Sequence, residues 1–203
     1  MVVKRSTAVS RLRDVVEGLD RAVEWPTTTL VAAYVYGALL TGVEELDWVE
    51  LAFVVDEPVE SVSWRVRPAH LEALADELRF SKLPLSWVWR PVAWPVWNHA
   101  IERSVRVWNR GAGAEAAALP ALAAGQLDGV TVDRPPSRDA LRAQVAVERD
   151  VARDHLAETI ESFYERDWRR AHQGGGVHVQ DHLWWAAAGF MELDTALDQL
   201  GGG

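Results

Sequence analysis

The sequence predicts an α+β fold: a small mixed sheet with flanking helices, followed by a C-terminal helical hairpin. Three observations predict it. Short apolar runs rich in β-branched and aromatic residues recur in the first half (LVAAYVY, VELAFVV, LPLSWVW); they are too short for helices and are bounded by Gly, Pro or Asp. Helical periodicity brackets them on both sides. Beyond LDGVTVDRPPS the strand-like runs give way to long helical patterns, the order expected of an α+β core with a helical appendage.

Ala8, Leu12, Val15, Val16, Leu19, Ala22 and Val23 recur at helical spacing. Ser6 or Thr7 is placed to cap this first helix and Pro26 to end it. Leu30–Tyr36 reads as a buried strand, residues 37–47 as a connection containing Gly37 and Gly42, and Val49–Val55 as a second strand closed by Asp56, Glu57 and Pro58. Residues 61–67 alternate through Val62, Trp64 and Val66, predicting an edge strand. Pro68 opens a helix over 68–80, at a position that tolerates its missing N–H. Residues 85–90 form a third core strand, Pro91 and Pro95 break regular structure after it, and 105–108 make a short final strand.

Gly111 and Gly113 begin an Ala-rich segment, and residues 127–137 read as a linker. Residues 139–172 then read as one long helix with Leu141, Val145, Val151, His155, Leu156, Ile160 and Phe163 on or near one stripe. Gly174 to Gly176 stop it, and Asp181 is placed as the N-cap of a last helix over 182–200. The organisation expected is an α+β domain at 1–130 and a helical hairpin at 138–200 packed on it.

Nearly half of the residues are hydrophobic, enough for a sizeable core without staples. The absence of cysteine excludes disulfides, thiolate metal sites and cysteine nucleophiles. A net charge of −9 disfavours nucleic acid as a partner, because such binding needs a cationic surface. The basic N-terminus has no apolar h-region, and no apolar run has the length of a membrane span. A cytoplasmic protein without membrane association is expected. The Ala, Val and Arg bias fits a high-GC bacterial genome, but that bias does not explain eleven tryptophans; these build a heavy core or line a stacking surface.

Trp87, Trp89, Trp94 and Trp97 cluster around Arg90. They form either an aromatic wall with a cationic partner or the filling between core and C-terminal helices. His172, His178 and His182, with Asp167 and Asp181, match no zinc spacing, and no serine sits in a nucleophile-elbow context. Tyr164, Arg166, Trp168, Arg169 and Arg170 read as an anion-binding run or as the solvated end of a helix.

The stretch AAYVYGALLTG followed by LDWVELAFVVD, with the 68–80 helix, LPLSWVW and NHAIERSVRVWNRG after it, resembles the minimal nucleotidyltransferase fold of antitoxin-like and antibiotic-modifying enzymes. The resemblance covers about residues 5–110. With its WPVWNH and DHLWWA stretches, the whole chain also resembles a Trp-rich bacterial family of unassigned function. The resemblance implies a Gly-Ser turn beside the phosphates and two Mg²⁺ ions held by three carboxylates, two of them at i and i+2 on one strand. Here Gly37 is kept, Ala38 replaces the serine, Trp48 replaces the first aspartate and Glu50 the second. The third position falls near Ser86 or Trp87. An indole does not ligate Mg²⁺.

The function expected is therefore a non-catalytic binding or regulatory protein, a pseudoenzyme, that uses a Trp-lined former substrate cleft. Its candidate ligand-binding residues are Gly37, Trp48, Glu50, Trp87, Trp89 and Arg90; no catalytic residue, metal ligand or cofactor is assigned. The alternative is a divergent metal-dependent nucleotidyltransferase acting on a small molecule or protein, with Mg²⁺ and nucleotide and with Glu45, Asp47 or Asp56 supplementing Glu50. A second alternative is a structural interaction protein whose hairpin is a dimer surface. The partners expected are a small molecule or a protein, including a second copy of the chain.

Overall fold

The structure, a computed structural model, describes residues 2–25, 28–173 and 177–202. Pro26 and Gly174 to Gly176, assigned above to helix ends, lie outside the described residues. The chain runs β1 (Val3–Lys4), α1 (Arg5–Ala22), β2 (Leu30–Tyr36), β3 (Glu45–Leu46), β4 (Val49–Val55), α2 (Ala69–Glu77), β5 (Leu85–Pro91), β6 (Ser104–Asn109), β7 (Gly113–Ala114), α3 (Ala118–Ala124), β8 (Val132–Asp133), α4 (Arg138–Ser162), α5 (Arg166–Ala171) and α6 (Val179–Gly201). It is an α+β arrangement with a mixed sheet and C-terminal helices.

The main sheet has the order β5-β4-β2-β6-β7, with β8 also paired to β6. β2 pairs antiparallel with β4 and β6, while β4 and β5 run parallel. A parallel pair needs a crossover, and α2 supplies it. The strands are buried on both faces, which is why they read as continuous apolar runs rather than alternating ones. On one face Leu51 and Phe53 pack with Leu12, Leu19 and Leu122 from α1 and α3. On the other, Ala52 and Val54 pack with Val145, Ala152 and Leu193 from the α4–α6 hairpin.

Several expectations are corrected by the structure. The first helix starts at Arg5, with Lys4 as an N-cap that makes no side-chain capping bond. The Arg5 N–H instead donates to the Glu44 carbonyl at 2.8 Å, so neither Ser6 nor Thr7 caps it. Residues 61–67 form turns, not an edge strand. Val62, Ser63 and Trp64 are buried consecutively, and Arg65 takes a left-handed φ of 67°, which no strand accommodates. The 127–137 linker contributes β8, so β6 is not the final strand.

The long helix breaks after Ser162. Glu165 is extended, and the break swings α5 so that Trp168 stacks on His172 and meets His182 of α6 edge-on. Asp181 is the third residue of α6, which begins at Val179, and not its N-cap; its carboxylate accepts from the His178 backbone N–H at 2.7 Å. Trp184 and Met191, seven residues apart on α6, are exposed. No helix among the described residues is long and apolar enough to cross a membrane.

Candidate functional site

The turn after β2 is fixed from both sides. Arg5 is buried and spends its guanidinium on the loop: Nε and Nη2 donate to the Val43 carbonyl at 2.9 and 2.7 Å, and Nη1 to the carbonyls of Leu39 and Leu122 at 3.2 and 2.8 Å. Gly37 has φ +68°, a conformation that side chains rarely take. A Cβ there would also overlap Glu50 Oε2. The Glu50 carboxylate therefore folds over the bare glycine and accepts the Ala38 N–H at 3.1 Å.

Glu50 sits in β4 opposite Tyr36 of β2 and beside Ser86 of β5. Burial raises the Tyr36 hydroxyl pKa well above its ordinary value, and the nearby Glu50 charge raises it further. In front of Glu50 opens a cleft of about 350 Å³, walled by Tyr36, Trp48, Trp64, Arg67 and Trp185 among others. Trp48 stands at this cleft 52% exposed.

Two turn arginines complete the wall. Arg65 pairs with Glu192 of α6 through Nε at 2.9 Å and Nη2 at 2.8 Å, and the Trp64 indole N–H donates to the same carboxylate at 2.8 Å. Arg67 bonds Glu72 at 3.2 Å and lies over the rings of Trp87 (4.9 Å) and Trp185 (5.7 Å). Gly189 lets the turn approach α6, since a Cβ there would overlap the Trp64 carbonyl oxygen.

Of the six residues predicted for the site, Trp48, Glu50, Trp87 and Trp89 line the cleft, and Gly37 lies directly beneath the Glu50 carboxylate. Trp87 and Trp89 share a face, but it is the face packed on the first core. Trp87 meets Phe80 edge-on, and Trp89 lies tilted against Phe53 with its indole N–H on Glu72. Trp89 is only 3% exposed.

Arg90, assigned above as a cationic ligand partner, is a buried structural cation. Its guanidinium donates to both Glu148 oxygens, at 2.7 and 2.6 Å, and to the Pro95 carbonyl at 2.8 Å. Asn98 and Gln144 donate to the same carboxylate. Burial alone would raise the Glu148 pKa. The Arg90 charge and these hydrogen bonds outweigh it and hold the carboxyl below its ordinary value.

Trp64, Arg65, Arg67 and Trp185 were not assigned from sequence. The first three sit in the segment read as a strand, and Trp185 is brought in from α6. Among the described residues no group of three or more His, Cys, Asp or Glu is arranged to hold a metal ion. The donor set in the cleft is one carboxylate, with Ser86 and Trp48 at the other two expected positions, and it does not fit a pair of Mg²⁺ ions. Glu45, Asp47 and Asp56 are not among the cleft-lining residues.

Elsewhere, a second cavity of about 350 Å³ opens between Tyr34, Arg106 and Asp133 at the β6–β8 end of the sheet. Arg166, Arg169 and Arg170 line an open surface recess with Tyr164.

The histidines near the hairpin end form an aromatic cluster. His172 and His182 meet edge-on at 5.0 Å, and His182 faces Trp185 at 5.3 Å. Burial lowers the pKa of His155, His182 and, beside the Arg90–Glu148 pair, His99; the mutual repulsion of the cluster lowers His155 and His182 further. Nearby carboxylates (Glu158 for His155, Asp181 for His182, Glu148 and Glu192 for His99) oppose the shift without cancelling it.

The folded state therefore prefers these rings neutral. Above the unfolded value of 6.5 they add no pH dependence. As pH falls below 6.5 the unfolded chain takes up protons that the folded chain refuses, so stability declines until the folded pKa values are passed. Glu148 acts in the same sense at lower pH, its contribution fading below its unfolded value of 4.5. Urea midpoints across pH 4–8 are expected to be flat at the top of that range and to fall below about 6.5. A midpoint that rises on acidification contradicts this.

Compared with known protein families, residues 3–199 match a domain of unknown function, DUF7711. No curated protein and no solved structure matches the chain.

Proposed function

The chain belongs to the DUF7711 family, and on that premise we propose that it is a nucleotidyltransferase-like binding or regulatory protein. Its cleft receives a ligand without performing nucleotidyl transfer. One observation carries the reading. The two positions that the resemblance assigns to paired carboxylates are Trp48 and Glu50, and both line a cleft of about 350 Å³ rather than a plugged core. The β4–β5 register supports it, since Ser86 is the direct neighbour of Glu50 where a third carboxylate is expected. A cleft of this size suits a small molecule.

Calorimetry with Mg²⁺ and ATP or GTP, with an assay for pyrophosphate, tests the loss of transfer. Neither nucleotide turnover nor metal-dependent binding is expected of the native chain, and pyrophosphate release sinks the reading. Because Trp48 is half exposed, Trp48→Asp is expected to fold and to gain weak Mg²⁺ binding. A library of small polar metabolites, followed through the Trp48 indole resonance, tests the cleft itself. A cleft that takes none of them speaks against the binding role.

A further inference from the structure

Three of the rings around the cleft are covered by the protein's own cations. Arg67 lies over Trp87 and Trp185, and Arg90 lies 5.9 Å from the centre of the Trp64 ring. Trp48 differs: it forms no aromatic pair and receives no cation among the described residues, yet it is one of the most exposed large apolar side chains near the sheet. The charges follow the same division. Arg65 is neutralised by Glu192 and Arg67 by Glu72. Glu50 has no ion-pair partner among the described residues and makes one hydrogen bond, from the Ala38 N–H.

Trp48 and Glu50 are two residues apart where β4 begins, and both face the cleft. An indole face beside an uncompensated carboxylate is a poor site for a small hard metal ion, which requires several oxygens. It suits a large, weakly hydrated organic cation, attracted by the ring quadrupole on one side and by the carboxylate on the other.

Resting on the binding reading above, we propose that the Trp48–Glu50 pair is a subsite for the alkylammonium group of a small organic ligand, in place of a metal-bound phosphate. The ammonium lies against the Trp48 face with Glu50 as counter-ion, and the rest of the ligand extends along the aromatic wall towards Trp185.

Three probes of one shape test it: choline, its uncharged isostere with a tert-butyl group in place of trimethylammonium, and the matching tert-butyl carboxylate. Binding is read on the full chain from the Trp48 indole N–H resonance, assigned with Trp48→Phe. Choline is expected to bind roughly tenfold tighter than either isostere. Glu50→Gln, which keeps an acceptor for the Ala38 N–H, is expected to weaken choline at least several-fold. Trp48→Ala removes its binding, measured with this variant by calorimetry, whereas Trp48→Phe retains part of it. Equal or tighter binding of the neutral or anionic probe overturns the proposal but leaves the cleft a binding site. Choline binding insensitive to Glu50→Gln overturns it too. Failure of all three probes overturns the proposal, and the broader binding role falls with it only if the metabolite library also leaves Trp48 undisturbed.

Discussion

Glu148→Ala is expected to lower the unfolding free energy by about 3–5 kcal/mol, the largest effect expected of a single polar substitution in this chain. The Arg90 and Glu148 side chains are 1% and 0% exposed. Truncating the acid strands a guanidinium that cannot shed its proton. Among the described residues only the Pro95 carbonyl then accepts from it, and its Nε–H has no partner there even in the native chain. The amide donors of Asn98 and Gln144 lose their shared acceptor at the same time.

Glu148→Gln keeps the shape and one carbonyl acceptor, so an intermediate loss is expected. The double replacement Arg90→Met with Glu148→Leu removes both charges together and is expected to recover most of the stability, since a buried pair contributes little net free energy over apolar residues of similar size. Urea denaturation followed by tryptophan fluorescence measures all three. A loss under about 1 kcal/mol for Glu148→Ala contradicts the buried-pair account.

Gly189→Ala is expected to open the cleft wall. The added methyl would overlap the Trp64 carbonyl oxygen, a backbone atom that cannot swing aside as a side chain does. Either α6 or the 61–67 turn must retreat. The turn is the weaker party, being short, without sheet partners and already strained at Arg65. The expected cost is about 1–3 kcal/mol, with loss of the Trp64 and Arg65 bonds to Glu192 and weaker binding in the cleft. A downfield indole resonance for hydrogen-bonded Trp64 that persists in the variant would show that the turn has not moved.

The strands were the most legible part of the sequence. Leu30–Tyr36 and Val49–Val55 coincide with their predicted bounds because both faces of the central sheet are buried and the apolar runs are uninterrupted. The turn glycine and the Trp48–Glu50 pair were singled out by the resemblance, which places them at strand ends whose positions the apolar pattern fixes. Residues 61–67 misled because Val62, Trp64 and Val66 happen to alternate, while Ser63 between them is buried as well.

Arg90 misled differently. Its neighbours in sequence are tryptophans, but its partner is Glu148, 58 positions away, and no local pattern announces such a pairing. Ile160 shows the limit of helical periodicity: it falls near the predicted stripe, yet it is exposed, and the buried face runs through Val145, Glu148, Ala152 and Thr159.

The bond from Trp64 to Glu192 joins residues 128 positions apart. During synthesis the segment holding Trp64 emerges long before the acid that fastens it. The strands β2, β4 and β5 find one another within the first half of the chain, but the recess beside them keeps no fixed outer wall until α6 has been made. Its shape is thus decided only once α6 has emerged, and a nascent chain halted before Glu192 carries the first core and the turn glycine without the Glu192 carboxylate that fastens that wall.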